Sequence, residues 1–197
     1  MADYFPGALN GFVHGIDSWD KPAVRMKVDG TAVIGRPTRG FGDGGTFSYA
    51  GKDYSPEPWS SRVLAIKTFS ERFVSKAVGR DIKFTFCLAG LYPEGDDGIP
   101  HHSDTVPTES DLVFSISFGA PRIFVWRKYP IVIKDNVDTS DLNNEEVKKS
   151  SYEDTFYVTQ NGDALLFDGY SQMRSTHAVL PVEGAGPRVN LTFRTGL

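Results

Sequence analysis

Between positions 59 and 78 the apolar residues recur every three or four places. Trp59, Val63, Ile66, Phe69, Phe73 and Ala77 fall on one stripe, the period of an α-helix packed by a single face. Pro58 suits the first turn and Gly79 a stop, so the pattern predicts a helix over Trp59–Val78 packed on a sheet. Beyond Asp81 the pattern turns to short apolar and alternating runs. Strands are predicted at Ile82–Leu88, Leu112–Phe118, Arg122–Trp126, Thr155–Val158, Ala164–Phe167, Thr176–Leu180 and Arg188–Phe193. Short strands in this number after one long helix predict a mainly β fold with α, two packed sheets forming a jelly roll with helical support.

The flanking segments are less regular. Residues 1–58 are rich in Gly and Pro and are read as an irregular N-terminal region, with Gly40–Gly45 as a turn-rich segment. Phe47 and Tyr49 then alternate, so both would leave one face of a short strand. Lys134–Glu153 is polar and charged and reads as a surface insertion. No internal repeat or second domain is evident, so 1–197 is expected to be one domain, with its catalytic core in 81–197.

Composition narrows this picture. With 197 residues and 40% hydrophobic content, the chain can bury a core without staples. Its one cysteine, Cys87, lies in the apolar run Phe84–Leu88 and is expected to be a small buried hydrophobe. No apolar stretch is long enough to cross a bilayer, so no membrane partner is expected. The reading is a soluble, intracellular protein with no obligate protein partner evident. The net charge of −4 argues against a large, sequence-independent grip on nucleic acid, although it leaves room for a local basic stripe.

The candidate chemistry lies in four histidines. His101 and His102 adjoin Asp104, and His177 follows far downstream; the fourth is His14. Two imidazoles and one carboxylate are the ligands of the facial set that holds Fe(II) with positions left open. In extended backbone, residues two apart share a face, so His102 and Asp104 can chelate together. His101 would share a face with Ser103 and is read as exposed or supporting. The segment Arg188–Arg194 alternates strictly, with Arg188, Asn190, Thr192 and Arg194 on one face and Val189, Leu191 and Phe193 on the other. If the polar face meets the metal, two guanidinium groups imply a dicarboxylate, and beside a non-haem iron that suggests 2-oxoglutarate. Six residues of strand span about 20 Å, so both arginines reach one small molecule only if their side chains converge.

At this point the chain resembles the AlkB-like 2-oxoglutarate- and Fe(II)-dependent dioxygenases. Their H-x-D, distal His and R-x-N-x-x-x-R pattern matches His102-x-Asp104, His177 and Arg188-x-Asn190-x-x-x-Arg194. The likeness also covers Leu112–Gly119, Arg122–Arg127, Phe41–Gly51 and Ser55–Trp59, and extends over roughly 36–197 with 128–153 divergent.

The resemblance implies a double-stranded β-helix core and a nucleotide-recognition lid within 1–58. It further implies that His102, Asp104 and His177 bind Fe(II). Arg188 would hold the distal carboxylate of 2-oxoglutarate, assisted by Asn190 and Tyr92, and Arg194 the carboxylate beside the keto group. Phe47 and Tyr49 fall where the family contacts a base, and Val106 where many relatives carry an acidic base-reading residue; Glu109 is a candidate substitute. Where the family has N-x-Y this chain has Gly90-Leu91-Tyr92, so water or another donor must replace a side-chain amide. The implied activity is oxidative demethylation of N-alkylated bases in DNA or RNA. A same-chemistry oxygenase acting on a protein or small molecule, and a silent binding module, are the alternatives.

Overall fold

The computed structural model describes residues 19–20, 24–26, 32–34, 36–49, 52–104, 106–131 and 151–196; at 24–26, 32–34, 47–49 and 52–54 it describes the backbone alone. Two antiparallel sheets face each other as a jelly roll. The larger contains β3 (Thr38–Gly42), β6 (Phe86–Tyr92), β8 (Leu112–Gly119), β11 (Ala164–Asp168) and β13 (Arg188–Arg194), in the order β11-β8-β13-β6-β3. The smaller contains β7 (Ile99–His102), β9 (Arg122–Lys128), β10 (Glu153–Thr159) and β12 (Ser175–Leu180), in the order β10-β9-β12-β7. Two strand pairs stand apart from these sheets: β1 (Val24–Met26) with β2 (Ala32–Ile34) before β3, and β4 (Phe47–Tyr49) with β5 (Lys52–Tyr54) after it.

The strand β13 is the hinge of the design. It sits mid-sheet between β6 and β8, so every residue from Arg188 to Arg194 is buried. Its alternation therefore does not divide core from water. Val189, Leu191 and Phe193 join a core with Val63, Ile66, Val74, Phe84 and Phe114, while the polar residues of the strand line the space between the sheets. Phe84 packs on Phe193 and Phe114 at ring separations of 5.5 and 6.1 Å. Each such side chain, fully buried, is worth about 1.5–3 kcal/mol.

The long helix α1 (Ser61–Val78) supports this core. Ser60 caps it in extended backbone and accepts the Val63 N–H; Gly79 closes it with φ 71°, a left-handed geometry suited to glycine. Trp59 thus precedes the helix. The buried face carries Val63, Ile66, Ser70, Glu71 and Val74; it shares Val63 and Ile66 with the apolar stripe and then departs from it, which leaves Phe73 53% exposed. Polar anchoring explains the rotation. Residues 82–85 lie outside the ladder, and their amides need acceptors. Glu71 Oε1 takes the Phe84 N–H at 2.9 Å, and Ser75 Oγ takes the Ile82 N–H at 2.8 Å. The strand expected at Ile82–Leu88 accordingly begins at Phe86 and runs to Tyr92.

Six other expected strands appear with ends moved by a residue or two. Within the two facing sheets, two more were not anticipated. Strand β3 lies in the segment expected to be irregular, and its glycines permit close approach: a Cβ at Gly42 would lie 3.0 Å from the Thr85 carbonyl oxygen. Strand β7 ends the smaller sheet, a place that tolerates Pro100 and its missing N–H. Of the expected insertion, residues 134–150 lie outside the described residues, and Glu153 opens β10. Cys87 is fully buried in the core, as expected, and burial pushes its thiol pKa far up. Among the described residues no helix is long and apolar enough to cross a membrane.

Candidate active site

The smaller sheet brings the candidate metal ligands together. His177 on β12 is the register partner of His102 on β7, so both rings rise from one end of the sheet with centroids 4.3 Å apart. Asp104 follows two residues beyond His102. Its carboxylate lies 4.0 Å from His102 Nε2 and 3.6 Å from His177 Nε2, and one donor atom from each residue falls within 4.8 Å of the others. His102 Nδ1 lies 2.8 Å from the Pro100 carbonyl. A carbonyl can only accept, so the proton sits on Nδ1 and the Nε2 lone pair is left for a metal.

Electrostatics prepare these groups as ligands. Burial lowers the pKa of both imidazoles, and for His177, with His102 nearby, to about 3. Burial alone would raise Asp104, but the Arg194 guanidinium, together with His177 and His102, outweighs it and holds the carboxyl well below its usual range. At neutral pH the trio is two neutral imidazoles and one carboxylate. This donor set suits Fe(II) with open positions. His177 Nδ1 is buried without a hydrogen-bond partner. Packing orients this ring instead: Phe124 and Trp126 stack on it at 5.3 and 6.0 Å, and Phe167 lies tilted at 5.4 Å.

The larger sheet supplies the opposite wall. Arg188 is 2% exposed. Its Nη2 donates to Ser117 Oγ at 2.8 Å, its Cζ lies 4.6 Å from the Tyr92 ring centre, and its Nε and Nη1 have no partner. A buried guanidinium with unmet donors is costly, and a carboxylate would satisfy it. Burial lowers its pKa, with Tyr92 opposing. Arg194, 1% exposed, donates from Nη2 to Asp104 Oδ1 at 2.5 Å. Both arginines line one pocket with Tyr92, His102, Asp104 and His177, so their side chains do converge. The residues present therefore fit both an iron and a dicarboxylate.

The comparison with known proteins agrees with this geometry. Residues 16–194 match the model of the 2OG-Fe(II) oxygenase superfamily. The chain belongs to that superfamily. It is AlkB-like: it is 31% identical over 201 residues to human DNA oxidative demethylase ALKBH2, covering 98% of this chain and 63% of that protein. It is 33% identical over 153 residues to human alpha-ketoglutarate-dependent dioxygenase alkB homolog 3, covering 76% of this chain and 48% of the relative. The chain thus spans between about half and just under two thirds of these relatives' lengths. Two solved structures share the fold. An oxidoreductase of the 2OG-Fe(II) oxygenase family from Burkholderia pseudomallei has TM-score 0.54 and 13% identity, covering 88% of this chain and 71% of that one. AviO1 from Streptomyces viridochromogenes Tue57 has TM-score 0.51 and 16% identity, with 98% and 79% covered. The superfamily works with Fe(II) and 2-oxoglutarate.

Within this 2OG-Fe(II) oxygenase, the remaining expectations sort by placement. His101 lies outside the ligand cluster, with Nδ1 3.1 Å from Thr176 Oγ1. Asn190 lines the pocket, but its amide donors are engaged by Ser115 Oγ and the Ile116 carbonyl, both at 2.9 Å. These bonds tie β13 to β8. Val106 is fully buried and does not line the pocket. An apolar side chain without polar atoms has no partner to seek at the pocket and packs inward. Glu109 is exposed and also away from the lining. Phe47 and Tyr49 sit on the β4–β5 hairpin, register partners of Tyr54 and Lys52; their side chains lie outside the described residues.

Two residues escaped the sequence reading. Gln172, fully buried, accepts the Asp104 N–H at 2.8 Å. It stands on the short helix α2 (Gly169–Gln172), whose cap Asp168 accepts the Ser171 N–H at 2.9 Å. Ser103 Oγ donates to the Ser175 carbonyl at 2.8 Å, so the loop carrying Asp104 is pinned on both sides. The Asp168 cap was readable from sequence, but nothing marked Gln172. The second is Arg36, which lines the pocket near Tyr92.

Proposed function

We propose that this chain is a 2-oxoglutarate- and Fe(II)-dependent oxidative demethylase of N-alkylated bases in DNA or RNA. The carrying observation is one pocket in which His102, Asp104 and His177 face the buried, under-satisfied Arg188. Support for the substrate class comes from ALKBH2, whose name as a DNA oxidative demethylase describes a relative matched along almost the whole chain.

In this reading His102 and His177 give neutral nitrogens, and Asp104 gives one ionised oxygen to the metal. Arg188 and Tyr92 take the distal carboxylate of 2-oxoglutarate. Arg194 keeps Asp104 charged and oriented and takes the carboxylate beside the keto group. Phe124, Trp126 and Phe167 exclude water behind His177. Bound Fe(II) and 2-oxoglutarate supply the oxidation of an N-methyl carbon by O2, giving the unmodified base, formaldehyde, succinate and CO2. In this reading Phe47 and Tyr49 contact the extruded base, because aromatic stacking is effective on any base.

The test is succinate and formaldehyde release with Fe(II), ascorbate and 2-oxoglutarate, using methylated and unmodified oligonucleotides, single- and double-stranded. Methylated strands are expected to yield formaldehyde in step with succinate. Succinate unaffected by any methylated strand, with no formaldehyde, would sink the nucleic-acid reading. That result would favour the second reading, an oxygenase of the same chemistry acting on a protein or small molecule, to which the buried Val106 and the net charge of −4 lend support. No succinate from an iron-loaded protein would leave a silent binding module.

A further inference from the structure

The wall of the larger sheet has a gap. On β6 Leu88 and Tyr92 line the pocket, and Gly90, between them on the same face of the strand, contributes no side chain. Its register partner across the ladder is Asn190, and that of Tyr92 is Arg188, so the gap adjoins the region that would receive the distal carboxylate.

A side chain from elsewhere fills it. A Cβ built on Gly90 would lie 2.4 Å from Arg36 Nε, 3.0 Å from Nη2 and 3.1 Å from Cζ. Three atoms of one planar group at such distances mean that the Arg36 guanidinium lies over the Gly90 backbone. Any side chain at position 90 would have to displace it. The same guanidinium lies 5.0 Å from the Tyr92 ring centre, and Arg188 lies 4.6 Å from that centre. Two cations thus share one aromatic ring and one pocket, and their mutual repulsion contributes to the lowered pKa of Arg188. An anion between them would relieve it.

We propose that Arg36 is a third cosubstrate arginine, which occupies the place left open by Gly90 and binds the distal carboxylate of 2-oxoglutarate jointly with Arg188. This rests on the cosubstrate site proposed above. The physical logic is exchange: a short amide at position 90 and a long guanidinium from position 36 are alternative ways to put donors in one place, and this chain uses the second. Arg36 lies in the segment just before β3, so the assignment also ties that segment to cosubstrate occupancy.

The experiment is calorimetric titration of the full chain, loaded with Fe(II) under anaerobic conditions. Two ligands are used: 2-oxoglutarate, and 2-oxopentanoate, in which a methyl group replaces the distal carboxylate. Arg36→Met is expected to weaken 2-oxoglutarate about 10- to 100-fold, the effect of losing a charge-assisted hydrogen bond. It should leave 2-oxopentanoate within about two-fold, which also shows that the variant is folded and loaded. Arg36→Lys, expected to fall between, decides the matter if Arg36→Met does not fold. Pairing Arg36→Ala with Gly90→Asn should recover part of the loss. The assignment is overturned if Arg36→Met weakens both ligands equally. It is also overturned if 2-oxoglutarate affinity is unchanged while Arg188→Met loses it, in which case the cosubstrate site itself stands. If Arg188→Met is silent as well, the site reading fails with it.

Discussion

Asp104→Ala is expected to yield a protein that retains no iron after desalting, forms no succinate, and is less stable even without metal. The first two effects follow from removing the only anionic ligand of the proposed trio. The third follows from burial: Asp104 is 6% exposed and Arg194 1%, and taking one partner from a buried charged pair costs about 3–5 kcal/mol. Asp104→Asn should also lose iron but keep more of the stability, since its amide oxygen can still accept from Arg194. Iron content and urea unfolding of the apoprotein check both. Because the folded Asp104 carboxyl lies below its ordinary range, its contribution is full above the unfolded value near pH ~4 and is lost as pH falls through the folded one. His101→Ala is the control, expected to keep iron. Retention of full iron by Asp104→Ala, or its loss in His101→Ala but not in His102→Ala, would overturn the ligand assignment.

The second large effect is expected far from any ligand atom, at Gly169. A Cβ there would meet the Thr108 carbonyl oxygen at 2.1 Å and the Glu109 Cα at 2.9 Å. Both are backbone, and neither can swing aside. Gly169→Ala must therefore push α2 away from the 108–111 turn, moving Gln172, which holds the Asp104 N–H. The expected cost is about 1–3 kcal/mol of stability. Iron affinity should fall about 10- to 100-fold, as when supporting groups of a metal site are removed. Gly186→Ala makes a suitable comparison, since its Cβ would meet only Ala120 Cβ at 3.9 Å; it should change stability by less than about 0.5 kcal/mol. Wild-type melting and iron affinity in Gly169→Ala would show that α2 does not position Asp104.

Much of the molecule could be read from local pattern, and what could not has identifiable causes. The alternation of Arg188–Arg194 declared a strand with a chemical face, and the spacing of His102 and Asp104 declared a shared direction. Those signals are local. The strand β3 was hidden because Gly40 and Gly42 look like turn formers, whereas here they admit Phe86, Pro56 and the Thr85 carbonyl. The face of α1 was legible at Val63 and Ile66 but not in its second half, because Glu71 and Ser75, polar in sequence, are drawn inward by amides of residues 82–84. Arg36 and Gln172 were invisible for a related reason. Each acts on a residue distant in sequence, and only the fold shows that Gly90 leaves room for one and that the Asp104 amide needs the other.

The burial of β13 on both sides has a consequence for how such a chain can vary. Side chains alternate with period two, so inserting or deleting one residue within Arg188–Arg194 would exchange the two faces. Phe193 and Leu191 would enter the pocket, and the guanidinium groups would be driven against α1. Core and chemistry would fail in the same event. This heptapeptide can therefore diverge by substitution but not by change of length, and in any lineage descended from it the spacing of its two arginines should outlast the identity of the residues between them.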